Sequence, residues 1–170
     1  MAETLKREEA IDVLRAGHEE VCSLVSGLSE PAVVHTGLGG GDWSVKDLLG
    51  HLTSWEEHAL GAIEAWLAGR DAPIGAALST EGGVDNVNAE TLAAKSALAC
   101  ARIQRDFEDV HSRLLEAIAS MSDADWQTPV RARPRTSRGD ALGSILSGTG
   151  PFGHAGAHLD DLRMWVGTLT

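Results

Sequence analysis

Tyrosine is absent from this 170-residue chain, and only two phenylalanines and two cysteines occur in it. The missing phenol removes one common catalytic acid. Cys22 and Cys100 are too few, and too far apart, for a disulfide framework or a zinc ribbon. Both fall among apolar neighbours inside helical segments, as expected of small core side chains in a reducing compartment. Basic residues are scarce as well: 14 Lys and Arg stand against 25 Asp and Glu, a formal net charge of −11. Nucleic acid and anionic membranes both require a cationic face, so neither is expected as a partner. No apolar run approaches the ~20 residues of a membrane span. The opening Met1–Glu9 is charged and lacks the apolar centre of a signal peptide. A cytoplasmic location follows as the expectation. Strand signals are equally sparse, since β-branched alternation never lasts more than a few residues.

Helical periodicity fills the space left by these absences. Leu5, Ile11, Leu14, Val21, Leu24, Val25 and Leu28 predict a first helix over residues 5–28. The stretch 29–43, with glycine at 37 and 39–41, reads as a loop. A second helix is predicted to start sharply at Ser44, because Ser44 and Asp47 form a capping-box pattern. Its apolar stripe runs from Val45 to Leu67, with a stop at Gly69. Residues 70–87 have no clear period and read as a long loop. A third helix is predicted over about 88–121, followed by a helical turn at 122–126. An irregular stretch at 127–139 carries Arg131, Arg133, Arg135 and Arg138; it reads as a solvated loop or as a local clamp for a carboxylate or phosphate. A short helix over 140–147 and a last helix over about 151–166 complete the chain. Pro151 suits the first turn of that last helix. The expectation is one all-α domain spanning residues 1–170, a four-helix bundle with a long crossover between its second and third helices.

Three histidines carry the candidate chemistry. His154 and His158 are one turn apart, so in a helix they share a face with Cβ atoms roughly 5–6 Å apart. His51, early in the second helix, would complete a three-imidazole tripod with open positions, suited to zinc, nickel or iron. A surface or capping histidine pair is the plainer alternative. Trp55 lies one turn past His51 and Trp165 two turns past His158, where both could wall a pocket. His58 shares the His51 face. Glu56 and Glu57 read as solvated residues, with a carboxylate at the pocket mouth as a candidate general base. His18 lies on the apolar stripe of the first helix and reads as a core histidine; His35 and His111 give no signal.

The segment Gly41-Asp42-Trp43-Ser44-Val45-Lys46-Asp47-Leu48-Leu49-Gly50-His51-Leu52, together with His154, His158, Leu159 and Leu162, resembles the DinB-like superfamily. Asn86-Val87-Asn88 and Leu114, Leu115 and Ile118 before Ser122-Asp123 fit the same pattern. Trp55-Glu56, the start at Asn88 and the ending His154–His158–Asp161 look most similar to the ClbS/DfsB branch. The likeness spans roughly residues 5–167. It implies a four-helix bundle, often dimeric, whose pocket lies beside a metal-ligand triad matched here by His51, His154 and His158. It also implies pocket positions at Asn88 and at Phe152, where an aromatic, often tyrosine, is expected. Members of the superfamily include thiol-dependent transferases and isomerases, and the ClbS branch includes a protein that opens a reactive cyclopropane.

The expected function is therefore that of a small-molecule enzyme, with His51, His154, His158 and Glu56 as catalytic candidates. It would add water or a low-molecular-weight thiol to a reactive hydrophobic metabolite, assisted by a divalent transition metal. A non-catalytic, sequestering protein of the same fold is the alternative. The pocket is expected between the starts of the second and last helices, rimmed by 70–87 and 127–139.

Overall fold

A computed structural model describes residues 5–127, 143, 146 and 154–169. The helices are α1 (Arg7–Val25), α2 (Glu30–Val34), α3 (Val45–Leu67), α4 (Gly75–Leu78), α5 (Gly83–Lys95), α6 (Cys100–Ala119), α7 (Asp123–Trp126) and α8 (Leu159–Leu169). A 3-10 turn, Ala155–His158, leads into α8. Among the described residues no strand forms, and one isolated bridge pairs Leu38 with Trp43. The architecture is all-α, as the periodicity predicts.

The central element is α3. Its start is fixed by the predicted box: the Asp47 N–H donates to Ser44 Oγ at 3.2 Å, and the Ser44 N–H donates to Asp47 Oδ2 at 2.9 Å. Its end is fixed by Gly69 at φ +69. There the Arg70 N–H bonds Ala65 O and the Gly69 N–H bonds Trp66 O, the pattern that satisfies terminal carbonyls through a left-handed glycine. Every residue from Leu48 to Glu56 is buried, so this helix is enclosed on all sides over more than two turns. Hydroxyls inside it are satisfied locally, Thr53 Oγ1 on Leu49 O and Ser54 Oγ on Gly50 O.

Around α3 pack α6, most extensively, and α5, while α1 lies against α6 and α8. One apolar cluster joins Leu14, Trp55, Ile63, Leu114, Ile118 and Trp126. A second joins Val21, Leu48, Leu52, Phe107, Ala155 and Leu162.

Four sequence expectations need correction. The third helix is two helices: α5 begins at Gly83 rather than 88, and the chain breaks after Lys95 before resuming at Cys100. The break contains no Gly or Pro, and tertiary contacts impose it. Lys46 Nζ donates to Ser96 O at 2.7 Å, and Leu98 packs on the second cluster; packing overrides helix propensity there. The predicted loop 70–87 holds α4 and the start of α5. The predicted loop 29–43 contains α2, which has Pro31 in its first turn. The last helix opens as a 3-10 turn in the glycine-rich stretch before Leu159. Gly143 and Leu146 are helical and buried, within the predicted 140–147. The rest of that segment, the arginines of 127–139 and Phe152 lie outside the described residues.

No helix among the described residues is long and apolar enough to cross a membrane.

Candidate metal centre

His51 occupies the second turn of α3, the element whose burial is most complete, and is itself 5% exposed. His154 immediately precedes the 3-10 turn, and His158 ends it. The pair therefore meets on a tightened turn rather than within an α-helix. The three rings still converge: His51 to His154 is 5.0 Å between centroids, His51 to His158 5.2 Å, and His154 to His158 5.1 Å. One nitrogen from each lies within 4.8 Å of the other two. His51 Nε2 and His154 Nε2 stand 2.9 Å apart, one donating and the other accepting.

Burial, reinforced by the neighbouring His154 and His158, pushes His51 down to about 3. Burial also lowers His158, opposed by the Asp161 carboxylate. Neutral imidazoles with free lone pairs are the form that binds a metal. Aimed at one point with no carboxylate in the set, they suit a borderline divalent ion.

Two tryptophans flank the triad. Trp43, at the end of the glycine loop, lies 4.9 Å from His51. Trp55, 2% exposed, lies 6.4 Å from His51 and 6.1 Å from His154. Its indole N–H donates to Asn88 Oδ1 at 2.9 Å, so α5 fixes the ring that walls the triad. The expected positions Trp55 and Asn88 are thus brought together as one unit. His58 lies 5.7 Å from Trp55, and burial lowers its basicity.

Other expected residues are placed elsewhere. Trp165 stacks on His35, with 5.5 Å between centroids and 6° between planes. Asp47 is committed to the α3 cap. Glu56 is neither solvated nor at a mouth. It is 5% exposed, and its Oε1 is 2.9 Å from His111 Nδ1. His111 in turn stacks on His18 at 3.8 Å, and His18 on Phe107 at 4.2 Å. Burial, with His111 beside it, pushes His18 down to about 3. Sequence reading missed this second polar cluster, although its signal was present: His111 falls on the α6 stripe between Phe107 and Leu114.

No curated protein matches the sequence. Solved structures that share the fold include the following three. An uncharacterised protein of Escherichia coli UTI89 superposes with a TM-score of 0.77 at 15% identity, covering 95% of this chain and 93% of that one. The colibactin self-resistance protein ClbS, in complex with a dsDNA, gives 0.72 at 12% identity over 96% and 98% of the two chains. The sibling lethal factor precursor DfsB gives 0.72 at 13% identity over 98% and 94%. The family model of the DinB superfamily matches residues 13–147, and on that match the chain belongs to the DinB superfamily.

Proposed function

We propose that this protein is a small-molecule enzyme in which His51, His154 and His158 hold one divalent transition metal: zinc, nickel or iron. Its reaction adds water or a low-molecular-weight thiol to a reactive hydrophobic metabolite, in a protective or biosynthetic role. The observation that carries this reading is the convergence of three imidazole nitrogens within 4.8 Å, one from the most buried stretch of the fold and two from the half-buried His154 and His158. The donor set fits such an ion: burial lowers the basicity of His51 and His158, and the Nε2 atoms of His51 and His154 already face each other at 2.9 Å. When bound, the metal supplies a Lewis acid that polarises water or a thiol at neutral pH.

The chain's own residues do the rest. Trp43 and Trp55 exclude bulk water from one side of the triad, and Asn88 holds Trp55 in place. Glu56 is occupied by His111, and we assign it no role at the triad. The self-resistance role of ClbS supports the protective reading by fold likeness. That neighbour is described with a dsDNA; the net charge of −11 here opposes a polyanion, so the proposed partner is a small molecule.

Elemental analysis of the purified protein should find, or metal addition should produce, about one equivalent per chain. His154→Ala combined with His158→Ala should abolish uptake and the metal-dependent rise in melting temperature. No uptake and no thermal shift with Zn²⁺, Ni²⁺ or Fe²⁺ would overturn the metal centre. Binding of a strained electrophile without turnover would replace the enzyme by a sequestering protein.

A further inference from the structure

A cavity of about 330 Å³ lies against the outer side of the last helix, lined by Gly37, Gly39, Asp161, Met164, Trp165 and Thr168 among others. Asp161 and Trp165 are one turn apart on α8 and so share a face. The opposite wall is the glycine loop, and its backbone shape is what lets it approach. Gly37 has φ +131, and a Cβ there would stand 2.5 Å from Trp165 Cη2. Gly39 has φ +66, with Asp161 Oδ2 at 3.4 Å from its would-be Cβ. The loop then turns back through the Leu38–Trp43 bridge and delivers Trp43 to His51. The same loop therefore borders the cavity through its glycines and the triad through Trp43.

The charge inside the cavity is one-sided. Neighbouring Asp160 is neutralised by Arg163, which also pairs with Glu20. Arg7, Arg15, Arg70, Lys95 and Arg102 are likewise paired with carboxylates elsewhere. Asp161 makes no ion pair with any described residue, and its lining neighbours are glycine backbone, Met164, Trp165 and the neutral Thr168, whose hydroxyl donates to Trp165 O. Its field reaches the triad, since it opposes the lowering of His158. A carboxylate beside an indole and an exposed thioether presents a cation to an aromatic ring and an apolar body to Met164.

We propose that this cavity binds an organic cation, a primary ammonium carried on an apolar or aromatic body, with the ammonium on Asp161 and the body against Trp165 and Met164. The inference rests on the proposed function for the purpose of that cation, as the substrate's anchoring group, and not for its binding.

The test is carried out on metal-free protein at low salt, so the state of the triad does not enter. Benzylammonium and its neutral counterpart benzyl alcohol are titrated while the Trp165 indole N–H resonance is followed by NMR. Benzylammonium should move that resonance and bind at least about fivefold more tightly than the alcohol, the scale of one exposed charge contact of ~1 kcal/mol. Asp161→Asn should make the two probes equal, whereas Asp160→Asn should leave the preference intact. Equal affinity in the native protein, no shift of Trp165, a preference that survives Asp161→Asn, or one lost equally in Asp160→Asn would each overturn the proposal. None of these results bears on metal uptake by the histidines.

Discussion

Glu56 Oε1 and His111 Nδ1 stand 2.9 Å apart, and each side chain is 6% exposed, so α3 and α6 are tied by a polar contact that water scarcely reaches. Removing one partner leaves the other buried and unsatisfied, a loss of about 1–3 kcal/mol. Either Glu56→Ala or His111→Ala should therefore lower stability in urea denaturation. Replacing both with leucine should cost much less than the sum of the single changes, because the remaining orphan is removed. Additive costs would mean that the two side chains act independently.

His18 gives the pH dependence a sign. Its imidazole is held at about 3 in the folded protein, against an ordinary value near 6.5. Below pH ~6.5 the unfolded chain takes up a proton that the folded chain refuses, so stability is complete above that pH and falls toward pH 3. His18→Phe keeps a ring to stack on Phe107 and His111 and removes the titration. Its melting temperature should decline less steeply between pH 6.5 and 4 than that of the native protein. Parallel profiles would show that His18 contributes nothing to the acid limb.

Asn88 reaches the site only through Trp55. Asn88→Ala deletes the acceptor of a buried indole N–H, at a cost of about 1–3 kcal/mol. The same substitution should alter tryptophan emission, because the Trp55 ring loses its anchor. If the triad takes up Ni²⁺, quenching should be strong in the native protein and reduced in Trp55→Phe, with Trp43 at 4.9 Å from His51 supplying the remainder. Trp126→Phe should keep the quenching, since that indole bonds Leu5 O just before α1 rather than flanking the histidines. The reverse outcome would place the responsive site away from the histidines.

Much of this was legible in the sequence because the signals were local. The Ser44–Asp47 box and Gly69 bracket α3 to within a residue, and the apolar stripe identifies its partners. The three histidines were found by spacing and resemblance, and they do converge. The break between α5 and α6 was hidden because Lys95-Ser96-Ala97-Leu98 is an ordinary helical string, interrupted only by what Lys46 and the core offer it. The Glu56–His111 pair was hidden for a related reason: burial on every side of α3 cannot be inferred from a stripe that marks one side. The pairing of Trp165 with His35 depends on the path of a glycine loop, which periodicity does not describe.

That path yields a further prediction. Gly37→Ala forces an L side chain into φ +131 and into the Trp165 ring. Backbone strain alone should cost about 1–3 kcal/mol. The indole should also leave His35, visible as a changed Trp165 resonance. Gly40→Ala, also at positive φ but with nothing within 4 Å of the new carbon, should show the backbone cost without the shift.

His51 and His154 are 103 residues apart in the chain, and that separation decides when their meeting can occur. A nascent chain that has emerged only as far as Ala119 already holds α1, α3 and α6, the helices of the most extensive packing, yet it owns a single member of the triad. The other two follow α7 and arrive only later in synthesis. Closing so long a loop is among the slower events of folding. The triad is therefore assembled only in a chain whose α8 has docked on α1, and a half-folded copy holds one imidazole of the three.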